Sequence, residues 1–393
     1  MLGRRKRKKQ TAAPENLTES GIYYKKLADK YHIAVRILTV LFLIFVTSML
    51  LTGYKALKGE NFRYLGRAIG LGVLSAETPY ANISYTADNG TIFALYEENL
   101  AVAGNGTIAL YHPSGELLFQ EDTGGMTSID TSGKYMAAYV PGSKTLSLYH
   151  SFAKIHTQTT EFPIGTVAVA DNGMFAVSVT DASGGAVYVY DSDFRLTYTW
   201  MIEGGFVFDL AISPDGKSVA VMILSFSSGS YFTELTVKNI RTDGTVVSEN
   251  FEGKTPVCVE FFSNGGFFAS VDGMISFYRT SGEKISQTEV SAKAPLYSMD
   301  GSAVAVLLSS SQAIIYSQRG SILADISLNG KIFDLDYHNE VACFLSETAV
   351  YFYDTATDAV REYPIHAGVL DLFLLDDGSL LLCYPSYVER LSP

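Results

Sequence analysis

Along most of this 393-residue chain the apolar positions come in short runs, broken by tight polar turns. The clearest copy reads Phe208-Asp209-Leu210-Ala211-Ile212-Ser213-Pro214-Asp215-Gly216-Lys217-Ser218-Val219-Ala220-Val221. It is an apolar strand, a Pro-Asp-Gly turn and a second apolar strand. Comparable turns stand at Ser132-Gly133, Asn172-Gly173, Asn264-Gly265, Asp300-Gly301 and Asp377-Gly378. Glycine and Asn or Asp accept the positive φ of short hairpin turns. Runs of Ala, Val, Leu and Phe with no polar alternation suit strands buried on both faces.

A second landmark follows each hairpin: an alternating strand that usually ends in Tyr. Copies are Ile108 to Tyr111, Leu146 to Tyr149, Val187 to Tyr190, Ile275 to Tyr278, Ala313 to Tyr316 and Val350 to Tyr353, with Leu235 to Lys238 as a degenerate member. A polar turn and a more exposed strand come next, as at Glu116 to Gln120 and Glu283 to Glu289. The landmarks recur roughly every 37 to 48 residues, the range of a four-stranded propeller blade. One such sheet cannot cover both of its faces, so the blades must stack radially.

The strands fall at about 91–120, 126–159, 166–200, 207–250, 256–289, 295–326, 331–363 and 369–391. The last unit has only three candidate strands. The stretch Asn82-Ile83-Ser84-Tyr85 belongs to no unit, and pairing it with the last blade would close the ring and remove an exposed edge. The count is therefore eight blades, with seven if one weak unit is not a full blade. The Ser-Pro-Asp-Gly-Lys turn resembles that of bacterial WD-repeat-like β-propellers, and the resemblance covers about residues 81–391. The Trp-Asp dipeptide of WD repeats is missing, since the single Trp200 is followed by Met201. The resemblance implies an all-β propeller and, from the overall plan, an anchored bacterial protein. It implies no ligand.

Before the repeats the pattern changes. Ile37 to Gly53 is 17 residues without a charge. Extended over residues 33–54, as a helix it would reach roughly 33 Å, enough to cross a bilayer core. The basic block Arg4-Arg5-Lys6-Arg7-Lys8-Lys9 precedes it. A long tail before the apolar run, and no small-residue cleavage site after it, argue for an uncleaved signal anchor. The basic block then holds the N-terminus in the cytoplasm and can touch anionic lipid. The expected organisation is a basic cytoplasmic tail (1–32), a transmembrane anchor (33–54), a juxtamembrane linker (55–80) and an extracellular propeller (81–393) closed by residues 82–86.

Charge sharpens this picture. The net charge is −12, and residues 1–36 hold ten Lys or Arg against three Asp or Glu, so they carry +7 and the rest carries −19. An acidic large domain is a poor partner for nucleic acid. The three cysteines, Cys258, Cys343 and Cys383, lie in apolar strands and read as buried thiols. No nucleophile elbow, phosphate loop or dinucleotide fingerprint occurs. No cofactor or metal is expected. His112 and His150 hold comparable turn positions without a metal-binding spacing.

Three carboxylates share a local frame near the start of an innermost strand: Asp209, Asp334 and Asp371. Together they could form an acidic channel rim that binds a cation or basic group; alternatively each caps backbone within its own blade. The longest departure from the repeat, residues 225–232, carries Phe226, Tyr231 and Phe232 on a Gly/Ser-rich stretch that suits a partner. The sequence points to a membrane-anchored module that binds a protein or cell-surface ligand. The alternative is a surface-polymer hydrolase or lyase using the channel acids; a sensor ranks last.

Overall fold

The computed structural model describes residues 30–33, 35–44, 46–47 and, from 80 to 392, all but 81, 82, 89, 105, 151, 152, 181–183 and 228. The described residues of 30–47 are helical. Its apolar side chains, Ile37, Leu38, Leu41 and Phe42 among them, are exposed. Among the described residues no helix is long and apolar enough to cross a membrane. Residues 48–54 of the expected anchor, residues 1–29 of the expected tail and 55–79 of the expected linker lie outside the described residues.

From residue 92 onward 31 described strands form eight antiparallel sheets, seven of four strands and one of three. Each sheet is a meander in which sequence neighbours pair. The innermost strands of blades 1 to 8 are Ile92–Tyr96, Ser128–Thr131, Ile164–Val169, Phe206–Ile212, Pro256–Phe261, Tyr297–Met299, Ile332–His338 and Asp371–Leu374. In all eight the inner strand returns through a tight hairpin. Gly216, at the Pro-Asp-Gly turn, has φ +65°, a conformation in which a side chain would be strained and would meet Met174 and Asn172.

The core is a ring of seams rather than one centre. Eight apolar clusters each join one blade to the next: Leu148 with Phe175 between blades 2 and 3, Val189 with Leu210 between 3 and 4, Leu235 with Phe267 between 4 and 5, and so on around. Eight seams require eight blades, which decides between the two counts that the repeat spacing allows. The Tyr landmarks sit in these seams: Tyr149, Tyr190, Tyr278, Tyr316 and Tyr353 are buried. Tyr190 stacks on Phe175 with centroids 4.7 Å apart, and Tyr278 on Phe267 at 4.6 Å.

Blade 8 has three strands, Asp371–Leu374, Leu380–Cys383 and Val388–Leu391. Residues 83–87 run along its edge. Ser84 forms an antiparallel bridge with Tyr387, and Ala87 N–H donates to the Pro385 carbonyl at 2.8 Å. Tyr80 reaches the other way, its hydroxyl donating to the Glu98 carbonyl of blade 1 at 2.7 Å. Ile83 plugs the seam between blades 8 and 1 beside Leu100, Leu381 and Val388.

Ile83 is 1% exposed, so Ile83→Ala should lower stability in denaturant titration by about 2–5 kcal/mol. The exposed Leu117→Ala should stay within about 0.5 kcal/mol of the parent. Equal effects would mean that residues 83–87 do not hold the ring shut.

Candidate functional site

An innermost strand is paired on one side only. Its other edge faces the channel, where every second N–H lacks a ladder partner. In this ring carboxylates on one blade's inner strand meet those groups on the next. Asp130 Oδ2 accepts from Val169 N–H at 2.7 Å, joining blade 2 to blade 3. Asp209 Oδ2 accepts from Val259 N–H at 2.8 Å, joining 4 to 5. Asp336 Oδ2 accepts from Leu374 N–H at 2.7 Å, joining 7 to 8. Ser298 Oγ does the same for Tyr337 N–H at 3.1 Å, joining 6 to 7. The expected rim residue Asp209 therefore contacts backbone both across the blade boundary, at Val259, and within its own blade, at Leu210.

Asp334 and Asp371 meet each other. Their carboxyl groups are hydrogen-bonded between blades 7 and 8. Asp371 Oδ1 accepts from Leu372 N–H at 2.8 Å and Asp334 Oδ1 from Leu335 N–H at 2.9 Å. Burial raises both pKa values, and the charge of Asp334 raises Asp371 further, so the pair holds a proton at neutral pH. Two carboxyls in direct contact leave no space for the sugar ring that glycosidic cleavage places between acid and nucleophile. Asp209 stands apart from this pair, facing Asp130 and Glu260 electrostatically. Burial pushes Asp130 up to about 7 and Asp209 up to about 6, against the pull of their backbone donors.

The channel thus carries six carboxylates on its inner strands, Asp130, Asp209, Glu260, Asp334, Asp336 and Asp371, and no Lys or Arg on those strands. Three of the six escaped the sequence reading. Asp130, Glu260 and Asp336 lie one pleat deeper than the Phe-Asp-Leu frame, and Asp336 is two residues beyond Asp334 on the same face. For Asp336 the period of two was the signal that would have found it; Asp130 and Glu260 carry no such signal in their own strands. Among the described residues no three His, Cys, Asp or Glu are placed to hold a metal ion. His112 bonds locally to Ser114 (2.8 Å) and His150 packs on Tyr135, so the two do not form a shared site. All three cysteines are free and buried, and burial pushes their thiols up.

The opposite end of the channel, where inner strands begin, is aromatic. β-Bulges interrupt the inner strands of blades 4 and 7 at Phe208 and Phe333. A bulge re-aims the extra side chain, and these two are 52% and 43% exposed. The stretch 225–232 is not a loose loop. It extends the hairpin of blade 4, with Ser218–Ser227 paired to Ser230–Asn239 and Phe226 directly opposite Tyr231. Phe206 pairs with Leu224, two residues from Phe226, so period two puts Phe206, Phe226 and Tyr231 on one sheet face. Phe206 and Phe226 are 65% and 75% exposed; Phe232, on the other face, is half-buried.

A sequence profile for a family of unknown function, DUF5711, matches residues 78–392. The chain belongs to DUF5711. No curated protein matches it in sequence. Among solved structures this DUF5711 chain is similar to Saccharomyces cerevisiae Sqt1 (TM-score 0.56, 11% identity, 80% of this chain and 100% of that one). It is also similar to the C-terminal WD40 domain of Sif2 (0.55, 13%, 80% and 99%) and to BamB from Moraxella catarrhalis (0.52, 11%, 79% and 96%). At such identities the likeness establishes the WD40-like propeller fold and nothing further.

Two measurements separate stapling from chemistry. Asp209→Ala strands the Val259 N–H and should cost about 1–3 kcal/mol in denaturant titration, whereas Asp209→Asn keeps an acceptor and should cost much less. For the pair, a folded pKa above the unfolded value means that the folded state holds its proton longer. Stability then falls as pH rises from about 4, the unfolded Asp pKa, through the raised folded range. Asp371→Asn should therefore raise the melting temperature at pH 8 and lose that advantage near pH 4. A pH-independent difference would dismiss the shared proton.

Proposed function

We propose that this chain is a single-pass membrane protein whose propeller lies outside the cytoplasm and docks a protein partner on the aromatic surface of blade 4. The observation that carries the reading is Phe206, Phe226 and Tyr231 exposed together on one face of the blade-4 sheet, the last two on its extended hairpin. A water-facing sheet face has no folding use for three aromatic rings, and aromatic side chains anchor protein interfaces. The anchor rests on the described helical residues between 30 and 47. It is apolar over most of its circumference with its large side chains exposed, which suits lipid rather than water. Thr39 and Thr47 return their hydroxyls to the carbonyls of Val35 and Leu43, at 2.8 and 2.7 Å, so neither needs water. The basic block before it sets the N-terminus inside.

The test is site-specific photo-cross-linking from position 226 in native membranes. One discrete adduct is expected, abolished by Phe206→Ser with Tyr231→Ser while the protein's melting temperature is kept. An adduct that survives both substitutions removes the blade-4 surface from the account. Carbonate extraction tests the anchor separately: the chain should stay with the membrane pellet, and a variant with two Arg in place of Leu41 and Phe42 should not.

A further inference from the structure

At the hairpin end of the channel, away from the aromatic surface, lies a cavity of about 410 Å³. Asp130, Asp171, Glu260 and Asp300 line it, with small apolar walls from Ala168 and Ala211, and no Lys or Arg contributes. Three of the four acids have structural work. Asp171 Oδ1 accepts from Gly133 N–H at 2.6 Å, Asp300 Oδ2 from Asn339 N–H at 3.1 Å, and Asp130 Oδ2 from Val169 N–H. Glu260 has none. The residue is half-buried, its carboxylate packed among protein atoms with an outlet to channel water, and no hydrogen bond or ion pair among the described residues reaches it.

A buried carboxylate without a donor is costly. Its nearest charges are Asp209 and Asp130, which repel it, and its pKa is driven well above the usual carboxylate range by burial first and by those two next. Elsewhere in the channel the fold satisfies its acids with backbone N–H groups; here it leaves an acceptor open toward a cavity.

We propose that this cavity binds an organic cation, a primary ammonium or a guanidinium, with Glu260 as its main acceptor and the free oxygen of Asp130 as the second. A bare metal ion fits poorly, because the carboxylates do not converge as ligands must. An ammonium or guanidinium carries three to five N–H donors on a stem, so it spans separated acceptors and lays its methylenes on Ala168 and Ala211. The same group can arrive on a free polyamine or on a Lys or Arg side chain of another protein. The site stands at the other end of the channel from blade 4's aromatic hairpin, so it holds or fails independently of that interface.

The test is calorimetric titration of the full chain in detergent at fixed ionic strength. The probes are spermidine, an uncapped-side-chain Arg-Gly-Arg peptide, and magnesium chloride. Saturable binding of spermidine or the peptide is expected, and which one binds tells the free amine from the protein side chain. Glu260→Gln, which keeps shape and removes charge, should weaken that binding at least tenfold, and Asp130→Asn about threefold, while Glu283→Gln at an exposed ion pair far along the chain should leave it unchanged. If Glu260→Gln fails to fold, the Asp130→Asn result decides. No binding of either amine, magnesium binding as strong as theirs, or affinity unchanged by the decisive variant overturns the proposal.

Discussion

Every blade of this ring is a sheet with an open inner edge, and the structure depends on how those edges are satisfied. Apolar packing between blades brings inner strands close but does nothing for the N–H groups that face the channel. Side chains from the preceding blade supply acceptors at Val169, Val259, Tyr337 and Leu374. Hairpin turns add links farther out, such as Gly133 N–H to Asp171 and His338 to Asp376. The bonds cross seams that the apolar clusters already close, so packing and polar satisfaction reinforce the same radial order. The solution has an electrostatic consequence. Carboxyl acceptors accumulate along one narrow channel, and burial and mutual repulsion raise the pKa values of Asp130, Asp209, Glu260, Asp334 and Asp371 for want of a counter-ion.

Most of the architecture was legible because the repeat is written twice over, once in turn chemistry and once in the aromatic that ends each third strand. Gly216, Gly265 and Gly301 occupy the left-handed conformations that their turns demand, and the Tyr landmarks fill the seams. Blade number was less legible, since spacing alone leaves a weak unit ambiguous; it takes the seams, counted around the ring, to decide it. The stretch 225–232 reads as a loop because Ser and Gly dominate it. Pairing of Phe226 with Tyr231 and of Ser225 with Phe232 overrides that composition and continues the ladder.

The acids were only half legible. A shared Phe-Asp-Leu frame picked out Asp209, Asp334 and Asp371 as equivalents, yet the three behave differently because their neighbours differ. Asp209 faces a backbone donor on blade 5, while Asp334 and Asp371 fall on adjacent blades and meet. Nothing in a single strand's sequence tells which residues the next blade will present. The deeper column of Asp130, Glu260 and Asp336 was hidden for the same reason: Asp130 sits among Ser and Thr, Glu260 alone in an apolar run and Asp336 just past the Asp334 frame, and only radial stacking gives them a common address.

The seam at Ile83 has a consequence for the order of events in synthesis. The ring is completed by residues more than 300 positions apart in the chain, so seven blades emerge before their closing partner exists. Until Val388–Leu391 is made, the early strand near Ser84 and the flank of blade 1 have nothing to pack on. Closure is a late, long-range step with a high loop-closure cost. A growing chain therefore remains an open arc, with an unpaired edge to be shielded, until the strand Val388–Leu391 arrives. Such an arc is more exposed than a finished ring to pairing with a second copy of itself.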